Sequence, residues 1–526
     1  MSNRVGVFGW GVVAPKSPNI TAFRNNLASA DSWLTPFNGF GPDNFLAGTP
    51  EFDFADYQSW VGARFAPRHF QRLIDKMDYP SLYAVASFIQ ALDQNPGIEH
   101  VLQELGLRAH VYVGTGLGSL HTIHDASVNL HHAQRRWDRF WSRPENNSAL
   151  RSYLSESEAT RATEVPPHPG PWDESSVAAE EAHEAALRVW SSYWMQRSPE
   201  LKQYLTELAH IDGLAIEGGI ESGKLHAIRE KEKSRVRLQE KWQAPEPPWN
   251  VSANLIWNIH NTPAAQISIL GKITGSAFAP VAACSTFGVA LRLAMNAIHS
   301  GEAKAVVVGA TDPPPHPLTV GSFYNARVLS ADRGVSLPLT RFQGTHVAGG
   351  AVVWIVGDMA YMESKGFKPL GMEPVGVGVS SDAEHIITPS PEGPKAAMNY
   401  ALREANALPE DIGTWDVHAT ATPGDFSEIT NLRSIFPESV LVTARKGTFG
   451  HGMSAGGGWE LTAQYLGYAE KQLFPTPLSR DELNHAIAEL HTRFVFDQAC
   501  KIPEGLSGKL SMGIGGINAC VISRPL

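Results

Sequence analysis

The chain has 526 residues, 43% of them apolar and 18% charged, with a formal net charge of −10. That length exceeds one ordinary hydrophobic core, and the composition is that of a folded chain rather than a disordered one. The negative balance disfavours a nucleic-acid partner, no run of about eighteen apolar residues offers a membrane span, and three cysteines are too few and too odd a set for a disulfide framework or a Cys-rich metal site.

Met1 to Trp10 reads as a strand leading into a glycine turn. It lacks the long apolar core of a secretory signal, so the expected location is the cytoplasm. Residues 1 to about 118 alternate short apolar runs with helical patterns. The stretch from about 120 to 245 has another texture, rich in Glu, Arg, His and Trp. Seven of the fourteen tryptophans fall there or at its edge: Trp137, Trp141, Trp172, Trp190, Trp194, Trp242 and Trp249. It reads as a mostly helical insertion. Val165 to Trp172, dense in proline, breaks it internally. Glu180 to Arg197 carries Ala185, Ala186, Val189, Trp190 and Trp194 near helical spacing. Arg229 to Trp242, with its mixed charges, reads as a solvated helix, and Pro245 to Pro248 closes the region. At its start, His121 and His124 have the spacing of a helical zinc pair. No cysteine lies near and the acidic candidate, Asp125, is the next residue, so a solvated helix face is the better reading and no metal is expected.

Beyond about 246 the short strands and glycine turns return. Ala277 to Ala283 reads as a short buried strand, Thr286 to His299 as an apolar helix ended by Ser300-Gly301, and Lys304 to Ala310 as the next strand. Strand, turn, helix, strand implies a parallel sheet. Cys284 falls at the strand-to-helix turn, where a helix N-terminus supplies about half a positive charge and free N–H groups. Its thiol pKa is therefore expected to fall, and the small neighbours Ala282, Ala283 and Ser285 permit close approach. Cys500 and Cys520 have no comparable setting.

Two later segments stand out. In Trp415-Asp-Val-His418-Ala-Thr-Ala-Thr422-Pro-Gly, a strand ends at a histidine before a polar loop. In Lys446-Gly-Thr-Phe-Gly-His451-Gly-Met-Ser-Ala-Gly-Gly-Gly-Trp-Glu460, a strand runs through a glycine-rich loop into a helix. The loop lacks the closing Gly-Lys-Ser/Thr of a phosphate-binding loop. Taken singly, either histidine is more often structural than catalytic.

Together and in order, Ala283-Cys284-Ser285, His418-Ala-Thr-Ala-Thr-Pro, Lys446 with His451, and Ser511-Met-Gly-Ile-Gly-Gly-Ile-Asn518 resemble the motifs of the β-ketoacyl-(acyl carrier protein) synthases of the elongating Cys-His-His type. Lys76-Met77-Asp78, Gly114 to Gly118 and Ser380 to Ala383 add to the likeness. The resemblance implies an α/β fold, the thiolase-like five-layer αβαβα architecture of two related halves. The N-terminal half would span 1–325 and hold the insertion, and the C-terminal half 326–526. It also implies a homodimer, an acyl carrier protein as partner, phosphopantetheine thioesters as substrates and no bound cofactor.

By the same resemblance Cys284 accepts an acyl group, and His418 and His451 serve the decarboxylation of a malonyl-type extender. Lys446 orients the histidines, with Glu460 and Glu428 in support. The backbone N–H groups of Cys284 and Ile514 form an oxyanion hole, Thr420 and Thr422 hold the pantetheine arm, and Ile514, Gly515 and Gly516 gate the site. Three departures stand out. Ile514 replaces a gating phenylalanine, Ala419 replaces a glycine, and Arg341 to Gly350 lacks the family's acidic residues, so its hydrogen bonding must differ. The alternatives are a non-catalytic partner subunit of the chain-length-factor kind, which typically loses the nucleophile, and an acyltransferase without decarboxylation, which would not need both histidines. A thiolase is disfavoured because Cys520 follows the last glycine loop by several residues.

Overall fold

The computed structural model describes residues 4–42, 44–157, 164–170, 176–213, 222–250 and 254–526, with the backbone alone for 222–227. Two compact units emerge: residues 1–122 with 254–526, and residues 123–253.

The larger unit takes its form from these elements in chain order: β1 (Val5–Val13), α1 (Tyr79–Asp93), β2 (Ala109–Gly114), α2 (Thr262–Gly271), β3 (Ala277–Phe278), α3 (Thr286–His299), β4 (Ala305–Asp312), β5 (Gly350–Asp358), β6 (Met372–Ser381), α4 (Glu392–Ala405), β7 (Ile412–Asp416), α5 (Gly424–Ile435), β8 (Leu441–Thr443), α6 (Met453–Ala469), β9 (Arg493–Phe494), β10 (Leu506–Gly513) and β11 (Ile517–Pro525). Five strands form one sheet in the order β1-β5-β4-β2-β3, and six form a second in the order β9-β8-β7-β10-β11-β6. Helices α1 and α2 pack on the outer face of the first sheet, and α4 and α5 on the outer face of the second. The apolar helices α3 and α6 lie between the sheets and touch strands of both. These are the five layers of a thiolase-like fold, and they bury near-continuous apolar strands such as β4 and β5 on both faces.

Two sequence expectations change. The glycine turn after β1 is absent, because Gly9 and Gly11 lie inside the strand. A Cβ on either would stand 2.3 Å from the Ala91 carbonyl oxygen or 1.9 Å from that of Ser87, so the glycines let α1 lie directly on the strand. The buried strand expected at 277–283 shrinks to Ala277–Phe278, and both residues are exposed. As the last strand of its sheet, β3 pairs only with β2 among the described residues. The first sheet also takes in β5, which lies beyond residue 326 and pairs antiparallel with β1 and β4.

The smaller unit holds helices Val177–Met195, Pro199–Gly213 and Ser222–Trp242, with most of Leu120–Trp141. Four of its tryptophans are core residues: Trp137 and Trp141 pack with Tyr204, Leu201 and Leu238, and Trp190 and Trp194 pack with Leu150, whereas Trp249 is exposed. Of the proline-rich break, Pro171 and Trp172 lie outside the described residues. His121, in the larger unit, packs edge-on against Tyr79 and His316. Among the described residues no helix is long and apolar enough to cross a membrane, and no group of three or more His, Cys, Asp or Glu side chains is arranged to hold a metal ion.

Candidate active site

The residues singled out in the sequence follow the C-terminal ends of parallel strands: Cys284 after β3, His418 after β7, and Lys446 and His451 after β8. Ile514, Gly515 and Gly516 form the turn between β10 and β11. Sites in parallel α/β sheets gather at such ends, where loops converge and helices begin.

Cys284 lies in a single 3₁₀ turn, Ala283–Ser285, that leads into α3. Ala283 takes φ +48°, an uncommon conformation for a residue with a Cβ. The turn is held by hydrogen bonds from Ser285 Oγ to the carbonyls of Ser511 (3.0 Å) and Ile517 (2.7 Å), and from Thr286 Oγ1 to Ala283 O (2.7 Å). The backbone N–H groups of Ile514 and of Cys284 itself lie near the buried sulfur and favour its thiolate. Contrary to the sequence expectation, the thiol pKa rises, to about 11. Burial outweighs the Lys446 cation and the two N–H donors, all of which favour the thiolate.

The imidazoles of His418 and His451 meet nearly at right angles, with ring centroids 5.3 Å apart. Both are buried, and both pKa values lie well below the ordinary histidine value, first because of burial and then because of the nearby cations Lys446 and Lys509. The rings are therefore neutral near pH 7. In His451 the Met453 backbone N–H donates to Nδ1 at 3.2 Å, which leaves the ring proton on Nε2 as a donor. The His451 backbone N–H donates to His346 O at 2.7 Å, so the Arg341–Gly350 segment anchors the His451 loop through its backbone. The helix that follows His451 packs on the Cys284 turn. A Cβ built on Gly456 would lie 3.8 Å from His451 Nδ1, and one on Gly457 3.8 Å from Cys284 O.

Lys446 Nζ donates to His418 O (2.5 Å) and to Glu460 Oε1 (2.7 Å). Glu428 does not pair with Lys446. Its carboxylate accepts the backbone N–H groups of His418 (2.6 Å) and Ala419 (2.8 Å), and burial pushes its pKa up to about 7. Ala419 fits in place of glycine because the left-handed residue of this loop is Ala421, φ +60°. Thr420 and Thr422 are half-buried, with hydroxyl oxygens 3.0 Å apart. Ile514 is 44% exposed, and Gly515 and Gly516 take φ +93° and +71°. Gly515 N–H donates to Ile386 O (2.7 Å) and Asp382 N–H to Gly516 O (2.8 Å), so the 382–386 segment clamps this turn.

Four acids and bases escaped the sequence reading. Asp312, at the end of β4, accepts from Thr115 Oγ1, from the N–H groups of Gly116, Leu117 and Ser454, and from Ser454 Oγ. It joins the Gly114–Gly118 loop to the start of α6. Asp425 accepts four backbone N–H groups, of Leu339, Thr420, Ala421 and Thr422, and burial lifts it to about 6. Lys509 and Asp416 lie on neighbouring strands, with Lys509 Nζ 2.7 Å from Glu460 Oε2 and 3.4 Å from Asp416 Oδ1. Lys509 and Asp416 were each visible only as one charge within a strand-like run.

The chain is similar to known proteins along much of its length. Residues 219–357 match the model described as the β-ketoacyl synthase N-terminal domain, and 373–478 that described as its C-terminal domain. A 3-oxoacyl-[acyl-carrier-protein] synthase 2 of Staphylococcus aureus is 28% identical over 272 residues, covering 49% of this chain and 66% of that protein. The Vibrio harveyi protein of the same name is 29% identical over 326 residues, covering 60% and 75%. The chain thus spans just under two thirds of the length of the Staphylococcus aureus relatives. The solved ishigamide ketosynthase/chain length factor superposes with a TM-score of 0.67 at 17% identity, each chain covered in full.

Proposed function

We propose, on the premise that this chain belongs to the β-ketoacyl synthase family, that it catalyses the decarboxylative condensation of a malonyl-type thioester with an acyl group carried on Cys284. The observation that carries the reading is the meeting of three things in one buried site: a thiol with backbone N–H groups at its sulfur, two neutral imidazoles, and a lysine bound to the carbonyl of one of them.

The steps follow from these groups. Cys284 attacks an acyl thioester, a new C–S bond forms, and the departing pantetheine sulfur leaves as a thiol with the Cys284 proton. The Ile514 and Cys284 N–H groups and the Lys446 charge stabilise the thiolate as it develops, which a thiol at about 11 requires. A malonyl thioester then loses carbon dioxide, and the electrons of the broken C–C bond move onto the thioester oxygen. Nε2–H of His451 and the His418 ring donate to that oxygen. A preorganised donor of this kind is worth about 3–4 kcal/mol in the transition state. The enolate carbon attacks the acyl carbonyl, whose oxyanion takes the two backbone N–H groups, and collapse expels Cys284. Thr420 and Thr422 face the pantetheine arm in this scheme, and the Ile514–Gly516 turn gates entry.

An acidic carrier protein as the thioester donor is supported by the exposed stripe Arg68, Arg72 and Lys76, spaced four apart on helix Arg68–Lys76. A homodimer is supported by the unpaired outer edge of β3 and the exposed apolar residues Ile256, Trp257, Ile259, Phe278 and Val281 nearby in the chain. Cytoplasmic location is part of the same proposal, since carrier-bound thioesters are its substrates. Intact-protein mass spectrometry with a panel of acyl-carrier thioesters, paired with carbon dioxide release from a malonyl thioester, tests the reading. Acyl adducts with no release would favour an acyltransferase, and neither would favour a partner subunit.

A further inference from the structure

We propose that Lys509 is a second positioning cation for the condensation, holding the free oxygen of Glu460 so that Lys446 stays locked on His418, and adding a positive field at the two imidazoles. The proposal rests on the reaction assigned above. Lys509 stands at the middle of β10, 1% exposed, in a strand otherwise built of small and apolar residues. Its Nζ donates to Leu510 O (2.5 Å) and approaches Val417 O (3.4 Å), the carbonyl just before His418.

Glu460 is divided between two lysines, with Oε1 on Lys446 and Oε2 on Lys509, each at 2.7 Å. Asp416 is divided too, between Lys509 (3.4 Å) and Arg445 (3.5 Å), and Thr443 Oγ1 donates to its Oδ2 at 2.6 Å. The Lys509–Glu460, Lys509–Asp416 and Arg445–Asp416 contacts are close enough for ion pairing but poorly aligned as hydrogen bonds, since Glu460 Oε2, Asp416 Oδ1 and Arg445 Nε lack an aligned partner. A network built mainly for stability would be better satisfied, because a half-satisfied buried ion network is commonly worse than an apolar core.

The charge count gives such a network a use. Lys446, Lys509 and Arg445 face Glu460 and Asp416, one formal positive charge in excess. Glu428 on α5 also faces Lys509 and titrates near neutrality, and the Cys520 thiol on β11 faces it without charge at neutral pH. An excess cation beside the enolate oxygen favours the transition state over the ground state, in which no anion stands there. The same field opposes protonation of His418 and His451, which must stay neutral to act as donors.

The test is the pH profile of malonyl decarboxylation in Lys509→Gln, which keeps a donor but drops the charge, beside Lys509→Met and Lys509→Arg. In the wild type the rate falls on the acid side as the imidazoles protonate. Without the Lys509 charge that limb moves up by about half to one pH unit. The kcat falls roughly 10- to 100-fold with KM within about twofold, because the lost interaction belongs to the transition state. Lys509→Arg restores the limb. Should Lys509→Met fail to fold, Lys509→Gln carries the same reading. An unmoved acid limb in folded Lys509→Gln, or a limb in Lys509→Arg displaced as far as in Lys509→Gln, overturns the proposal. A wild-type protein that releases no carbon dioxide removes the assigned reaction instead.

Discussion

The two sheets of the larger unit bring different chemistry to the same site. At the end of the first sheet, the thiol of Cys284 sits in a turn held by hydroxyl-to-carbonyl hydrogen bonds, and a buried acid there, Asp312, is surrounded by five neutral donors. At the end of the second, Lys446, Lys509 and Arg445 are threaded among Glu460, Asp416 and Glu428. The first sheet holds the thiol in a frame of neutral donors, and the second concentrates the field. Cys284 therefore draws most of its electrostatic help from across the fold, from Lys446 and the Ile514 N–H, and less from its own backbone N–H.

If that division of labour is real, substitutions on the two sides should split the reaction into halves. The largest effect belongs to Cys284→Ala. The acyl mass shift disappears from the intact protein, while carbon dioxide release from a malonyl thioester continues. An acyl adduct persisting in that variant would refute the nucleophile. His418→Ala and His451→Ala should do the reverse. Each lowers malonyl decarboxylation by about 10²–10³-fold, the effect of one lost oxyanion donor, while Cys284 can still be acylated. Equal loss of both half-reactions in a histidine variant would break the comparison between the sheets.

The sequence made these groups legible unevenly, for physical reasons. Cys284, His418, Lys446 and His451 sit in short motifs whose local spacing already implies a turn at a strand end, and the structure brings them to strand ends and loops, while Glu460, singled out by resemblance alone, reaches Lys446 from within α6. The helix Thr286–His299 was legible to the residue from its apolar pattern and terminal Ser300-Gly301. What stayed hidden depended on partners distant in the chain. Asp312 gains meaning only from Thr115 and Ser454, and Lys509 only from Glu460 and Asp416. The rise of the Cys284 pKa was hidden too, since dipole arguments are local and desolvation is set by the whole fold. The exposure of β3 follows from its place at a sheet edge, which no run of apolar residues announces.

Asp312→Asn probes the neutral frame. An amide still accepts from one oxygen, but its nitrogen faces the Ser454 donors. The variant should lose about 2–4 kcal/mol of stability, seen as a lower apparent melting temperature. The acid limb of decarboxylation should stay where it is, because no cation is lost. A displaced limb would mean that the first sheet also sets the field at the histidines.

The smallest effect is a pH dependence at Glu428. Its pKa in the folded chain, raised to about 7, exceeds the ordinary value of 4.5 that the unfolded chain keeps, so the folded state binds the proton more tightly. The stability this contributes is fully present below about pH 4.5 and is lost as pH rises through about 7. Glu428→Gln cannot titrate and lacks this slope, though it also gives up one acceptor for the N–H groups of His418 and Ala419. The stability of the wild type relative to the variant should therefore fall by about 1–3 kcal/mol between pH 5 and 8, read from apparent melting temperatures across that range. A constant gap would mean that Glu428 stays ionised throughout, held by Lys509 and the two backbone donors more firmly than burial opposes it. The cationic excess at the histidines would then be cancelled, and the contrast between the two sheets would narrow to one of hydrogen bonding alone.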